Sequence, residues 1–546
     1  MPRARSTGVV GVLAAALALA GCGGGSSHSN AANAAPGAAD PASAVPASAV
    51  LYAQAVVRPR GTLAAGIDAG AKKLIGIANP GAMIDAAIDS AIGKPHVSYE
   101  ADIRPWLGQR AAIALLGGST AKPQFAVVAD QTNATLARKD LFSLLRSTPV
   151  KGSAGTVVSG TYRGVAYLAK PDGSAAVAVA EPFAVIATLS ALRQVVDVEQ
   201  GAAALSAAPD YTAAGAHTVD AAAVTAFLRG RQLVALLAAS GSAGSSAAGV
   251  ALSDKLIPAN LVVFASGRLD ARGLTLDVAT PASTLGGQIA PSKLFASLPG
   301  GSWLAFGVGG IGGELATLLE LGASVSSGGV SVSGACATSS GGKVQCTSTT
   351  RTITSSASPA TRALVSAYSK VLRQVSDVAL FVKGTQLSRI EGGVEIEVAS
   401  VAAATQLFGD IKGVLAGLNA TRVVIGPLSA PGIDRGFTAR VPGVPFPIDV
   451  AQKGPLLYGT VGAGGLSDAL SSANRLGDSA TAALLGPGVT PLLAVSLPAI
   501  AKLLQSRGQA SSGSVAPIIP YLNSLGTLAV GQSRSGGYVI DRIAVG

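Results

Sequence analysis

The side chains that could do chemistry come first. Ser119-Thr120-Ala121-Lys122 has the Ser-x-x-Lys spacing. On a helical turn, that spacing brings a lysine amine to a serine hydroxyl for acyl transfer. Pro123 comes next, and no Lys-Thr-Gly or Ser-Asp-Asn partner and no G-x-S-x-G occurs elsewhere, so the segment reads as a loop between strands. Gly307-Val308-Gly309-Gly310-Ile311-Gly312 fits G-x-G-x-x-G, whose glycines let a pyrophosphate approach a helix N-terminus. The next stretch of chain is Ser/Gly-rich rather than a second parallel strand ending in an acid, so a glycine-rich turn is the simpler account. Of the three histidines, His28 lies in a low-complexity stretch, and His96 and His217 lack a second histidine at ligand spacing. A metal site or a Ser-His-Asp triad has little to draw on. Two carboxylate pairs remain, Asp434 with Asp449 and Glu395 with Glu397. The second pair alternates on one strand face, where solvent exposure is expected. No catalytic, cofactor-binding or metal-binding residue is assigned, and the chain reads as a non-enzyme.

The cysteines are more informative. Arg3 and Arg5 precede an apolar run from Val9 to Ala20, broken only by Gly11. That run is too short to span about 30 Å of hydrocarbon and suits the core of a secretory signal. It ends in Leu19-Ala20-Gly21-Cys22, which resembles the lipobox of bacterial lipoproteins. The resemblance implies cleavage before Cys22, a diacylglyceryl group on its thiol, and a place on the extracytoplasmic face of a membrane. Residues 1–21 are then a signal peptide. Residues 22–46, rich in Gly, Ser, Ala, Asn and Pro, are a flexible tether with a reach of about 25–30 Å. Cys336 and Cys346 are left as an even pair in a compartment that permits disulfides. They sit in a Ser/Thr/Gly-rich stretch, residues 324–358, where a bridge would close a short loop. Free thiols are the alternative; a metal is not, since two thiolates do not complete a tetrahedral site.

Composition bounds the partners. The 546 residues exceed what one core usually supports, so at least two domains are expected. Hydrophobic residues make up 49%, which argues for folded structure. Loss of residues 1–21 removes Arg3 and Arg5 and no acid, lowering the formal charge from +11 to +9. The basic residues are scattered and aromatics are only 4%, so no nucleic-acid partner is expected. The membrane, through lipid on Cys22, is the expected partner, with an envelope component or a hydrophobic ligand as the other possibility.

The elements that would position these residues occur in the same order twice. An apolar strand opens each half, at Ala49–Ala53 and at Ser302–Phe306. A strand then feeds a helix, Phe125–Ala129 into 135–146 and Val394–Val398 into 402–415, with apolar residues at helical spacing. Arg163-Gly164 and Arg435-Gly436 open the next strands. Each half closes on a hairpin, 261–280 and 527–545, around glycine-containing turns. The cysteine stretch occurs only in the second half and reads as an insertion. The expected fold is α+β, two tandem related domains of antiparallel sheet packed by helices, residues 47–291 and 293–546. A closing hairpin could equally pair with the other half's sheet.

Asp102-Ile103-Arg104-Pro105-Trp106-Leu107-Gly108-Gln109-Arg110 resembles the uncharacterised bacterial family labelled domain of unknown function 3352. Tyr162-Arg163-Gly164 and Phe183-Ala184-Val185-Ile186 fit the same family. The resemblance carries no activity. The residues themselves predict a buried Trp106 anchoring a turn fixed by Pro105, with Gly108 bending the chain and Asp102 pairing with Arg104 or Arg110. A ligand site on Trp106 and the arginines is the sharper alternative. Three functions are compatible with this sequence, in order of preference: a non-catalytic envelope lipoprotein, a carrier of a hydrophobic ligand such as a lipid, and a hydrolase.

Overall fold

The computed structural model describes residues 39–77, 80–81, 98–119, 122–147, 157–238, 261–283, 290–310, 312–313, 316, 369–370, 372–386, 389–417, 423–478, 480–506, 516 and 518–546, and the backbone of 328–338 and 344–354. Cys22, His28 and His96 lie outside them. The chain divides into two compact units. One comprises residues up to Gly287 with Ala483–Thr490 and Arg507–Gly546; the other comprises Gln288–Ala482 with Pro491–Ser506.

The first unit contains β1 (Leu51–Val56), β2 (Leu107–Ser119), β3 (Lys122–Gln131), β4 (Val158–Tyr162), β5 (Val165–Ala169), β6 (Ala176–Ala180), β7 (Phe183–Ala187), β8 (Val224–Arg229), β9 (Val262–Asp270) and β10 (Gly273–Pro281). Its helices include α1 (Gly61–Ile75), α2 (Ala134–Ser147), α3 (Leu189–Glu199), α4 (Pro209–Gly215) and α5 (Gly230–Ala238). These strands pair antiparallel throughout, in the order β4-β5-β6-β7-β3-β2-β1-β8-β9-β10. Helices cover both faces. Ala176, Ala178 and Ala180 of β6 join a core with Tyr52, Leu192 and Phe227. Val177 and Val179, pointing the other way, join Trp106, Leu141 and Leu145. All five β6 residues are therefore buried, and the strand reads as an unbroken apolar run. Arg163 and Gly164, both at positive φ, make the two-residue turn between β4 and β5.

The second unit contains β11 (Ala290–Pro291), β12 (Leu304–Gly309), β13 (Gly328–Thr338), β14 (Val344–Thr354), β15 (Val375–Lys383), β16 (Glu391–Val398), β17 (Val424–Pro427), β18 (Arg435–Arg440), β19 (Ile448–Lys453), β20 (Leu456–Val461) and β21 (Thr490–Ser496). Its helices include α6 (Val401–Gly417), α7 (Gly465–Leu470) and α8 (Leu497–Ser506). The order β17-β18-β19-β20-β16-β15-β12-β21 repeats the first eight strands of the other unit. The last two strands, β22 (Thr527–Ser535) and β23 (Tyr538–Val545), belong to the first unit, where β23 pairs with β10 along eight residues. The fold is α+β with antiparallel sheets packed by helices, as the sequence predicts.

One local expectation changes. Residues 39–46, read as tether, are packed: Asp40 caps a short 3-10 turn over Pro41–Ser43, and Ala42, Ala44 and Val45 are fully buried. They share one core with Tyr52, Leu192 and Phe227. The cysteine stretch holds a hairpin of β13 and β14. The Gly307–Gly312 run closes β12, whose neighbours β15 and β21 are both antiparallel, so no parallel strand–helix–strand unit is built there among the described residues.

Candidate functional site

Trp106 is 4% exposed, packed among Tyr99, Leu141 and Leu145, and its Nε1 donates to the Asp102 carbonyl at 2.6 Å. It anchors the turn. The charges nearby pair differently from expectation. Arg104 pairs with Glu100 one helical turn away, and Arg110 approaches Asp40 at 3.9 Å. The Asp102 carboxylate accepts the Ser98 N–H instead. Gly108 has a reason other than bending: a Cβ there would lie 2.2 Å from Oδ2 of Asp130, the atom that accepts the Gln109 N–H.

Of the carboxylates singled out by sequence, Asp434 is exposed and accepts the Gly454 N–H. Asp449 sits opposite Thr438 between β18 and β19. Glu395 is not solvent-facing; it is 2% exposed, because β15 and β20 flank its strand and the segment around Phe295 covers it. Its Oε1 makes no hydrogen bond among the described residues, and Oε2 receives a long contact of 3.4 Å from the Ser297 hydroxyl. Burial pushes the carboxyl up to about 7, against the charge of Arg475 and the Ser297 hydroxyl. Tyr458, directly across on β20, is pushed up to about 12 by burial and by Glu395. Arg475 donates to the Ser297 carbonyl.

The repeated ladder makes this cluster conspicuous. In the first unit, Val128 pairs with Ala112 and Val185; in the second, Glu395 pairs with Ala379 and Tyr458 at the same lattice points. The bridge Pro46–Ala204 likewise corresponds to Pro299–Arg475, which aligns Ala44 with Ser297. Four small or apolar residues in one unit thus stand where the other gathers Glu395, Tyr458, Arg475 and Ser297. Nothing about the fold demands polar side chains there.

The first unit has its own polar feature. Antiparallel pairing brings the end of β8, the start of β9, the end of β10 and the start of β23 to one rim: Arg229 lies opposite Val262, and Pro281 opposite Tyr538. An open cleft of about 400 Å³ lies at that rim. Arg229 forks onto Asp210 through Nε and Nη2 at 2.7 and 2.8 Å and donates from Nη1 to the Ala49 carbonyl. Burial raises the Asp210 carboxyl, but Arg229 outweighs it and holds the group below its ordinary value. Tyr538 packs its ring 4.8 Å from that of His217. Among the described residues, no three or more His, Cys, Asp or Glu side chains gather as for a metal ion, and no helix is long and apolar enough to cross a membrane.

A family profile described as "Protein of unknown function (DUF3352)" matches residues 12–325, more than half of the chain. The protein belongs to the DUF3352 family. Within this DUF3352 protein, the match takes in the Trp106 turn and the rim residues from Asp210 to Pro281. A solved structure described as "Structure of crystal form IV of TP0453" is 13% identical, over 45% of this chain and 81% of its own, with a TM-score of 0.25. No curated protein matches the chain at a significant level.

Elsewhere in the DUF3352 protein, Cys336 and Cys346 are register partners between β13 and β14. Ser119 and Lys122 are the facing ends of the β2–β3 hairpin, not a helical turn. Sequence reasoning passed over Asp210, Arg229, Arg231 and Tyr538. The available signal was Arg229-Gly230-Arg231, two arginines at the seam between an apolar strand and an apolar helix.

Proposed function

We propose that the protein is a lipid-anchored extracytoplasmic lipoprotein, processed before Cys22, that acts as a non-catalytic binding or structural component of the cell envelope. One observation carries the reading: Leu19-Ala20-Gly21-Cys22 closes a short apolar run preceded by Arg3 and Arg5. Small residues before the cysteine let the chain lie extended in a peptidase groove, and the thiol accepts the lipid. Two further proposals belong with this reading. The units descend from one duplicated domain, which their common strand order supports. Cys336 and Cys346 form a disulfide, since cross-strand partners sit about 4.5–5.5 Å apart at Cα, inside the range a bridge spans.

Metabolic labelling with an alkyne-bearing fatty acid, followed by mass spectrometry of the N-terminal peptide, tests the anchor. The expected result is a diacylglyceryl-modified Cys22 and an unprocessed, unlabelled Cys22→Ser precursor. A Cys22→Ser chain that is processed and still fractionates with membranes would overturn the reading.

A further inference from the structure

The geometry points to the cleft at the β8–β9–β10–β23 rim as a binding site for a small anionic amphiphile, a carboxylate or phosphate carried on an apolar chain. The inference rests on the binding reading above but not on the lipid anchor.

Charge decides the headgroup. Asp210 and Arg229 neutralise each other through a two-point fork, and Asp210 spends both carboxylate oxygens on Arg229. Arg231, one residue into α5, is exposed, and among the described residues it has no ion pair or hydrogen bond. It leaves the cleft one uncompensated positive charge and five N–H donors in a planar fork, a shape that matches carboxylate or phosphate. The Gln232 amide and the Tyr538 hydroxyl, also without hydrogen bonds among the described residues, add donors to the lining. Among the residues lining the cleft, no carboxylate is left over to receive a cation.

The remaining wall sets the tail. Leu261, Val262 and Pro281 line the cleft with apolar surface, together with Tyr538. A volume of about 400 Å³ lies in the range of small-molecule sites. A bare inorganic anion would leave that surface wet, whereas an acyl or alkyl chain would cover it.

The second unit supplies a control. It builds the same strand-to-helix turn: Ser496 N–H donates to the Trp303 carbonyl as Arg229 N–H donates to that of Val50. There, Ser496, Pro498 and Ala499 stand at the places of Arg229, Arg231 and Gln232, and Thr481 stands at that of Asp210. The turn folds without the charged set, so the set is not a requirement of the architecture.

The test uses the full chain produced without export, so that Cys22 carries no lipid. Octanoate, octyl phosphate and octyl glucoside are titrated calorimetrically below their micellar concentrations. Octanoate stands for a free carboxylate amphiphile, octyl phosphate for a lipid-like phosphate, and octyl glucoside for an uncharged head on the same tail. At least one anion is expected to bind, with the stronger naming the natural headgroup. Hexanoate against octanoate should show about two- to fourfold weaker binding per missing methylene. Arg231→Gln, an exposed change, should weaken anion binding at least tenfold while circular dichroism stays that of the parent. Tyr538→Phe should weaken it less. Octyl glucoside binding as tightly as the anions, undiminished binding by Arg231→Gln, or no anion binding at millimolar concentration would each overturn the assignment, whatever the fate of Cys22.

Discussion

Replacing Glu395 by Gln should abolish a pH dependence that the second unit carries in its core. Burial raises this carboxyl from 4.5 to about 7 in the folded state. Below pH 4.5, folded and unfolded chains both hold the proton, and the group contributes nothing unfavourable. Between 4.5 and 7, the unfolded chain releases the proton while the folded core retains it, so unfolding becomes progressively easier. Above 7 the folded state ionises too, and the loss levels off. Displacement of the carboxyl by this much corresponds to about 3 kcal/mol. That is a large share of the roughly 5–15 kcal/mol typical of a domain. Tryptophan fluorescence gives access to the unit alone. Trp303 lies within it, its Nε1 donating to the Gly384 carbonyl at 2.8 Å, and Trp106 can be replaced by Phe to silence the other unit. In urea titrations from about pH 4.5 to 8, the parent should lose about 3 kcal/mol that Glu395→Gln keeps. Parent and variant with superimposable pH profiles would refute the reasoning, because other titrating groups are common to both.

Asp277 is 3% exposed and takes a two-point contact from Arg542; Asp277→Ala strands the guanidinium and should cost about 3–5 kcal/mol by chemical denaturation. Gly108→Ala drives a methyl into the Asp130 carboxyl and should cost about 1–3 kcal/mol, with the Trp106 emission shifting to the red as the turn loosens. Non-reducing peptide mapping of exported protein should recover Cys336 and Cys346 in one linked species, and reduction should leave the melting temperature of both units nearly unchanged; free thiols would end the disulfide proposal.

Much of the scaffold could be read in advance, and the reason is local. β3 into α2 and β16 into α6 announce themselves by a change from strand to helix periodicity within about a dozen residues. The two closing hairpins carry their own glycine turns. The features that escaped are set by residues distant in the chain. Glu395 looks like an ordinary outward position until β15 and β20 are laid on either side of it. Arg229, Val262, Pro281 and Tyr538 meet only because four strand ends share one rim. Residues 39–46 have the composition of a linker, yet Ala42, Ala44 and Val45 are buried in the core beside a capped turn, a placement set by strands distant in the chain.

The pairing of β10 with β23 bears on how the protein is made. Arg542 reaches Asp277 across 265 residues, so the edge of β10 waits without its neighbour while the whole second unit is synthesised. During that interval, β10 offers a row of open amides and carbonyls to any extended chain nearby, its own later strands included. Biogenesis of this protein is thus a problem of order in time. The second unit must collapse on itself quickly enough that its own strands, which share the first unit's pairing pattern, do not take the place kept for β23.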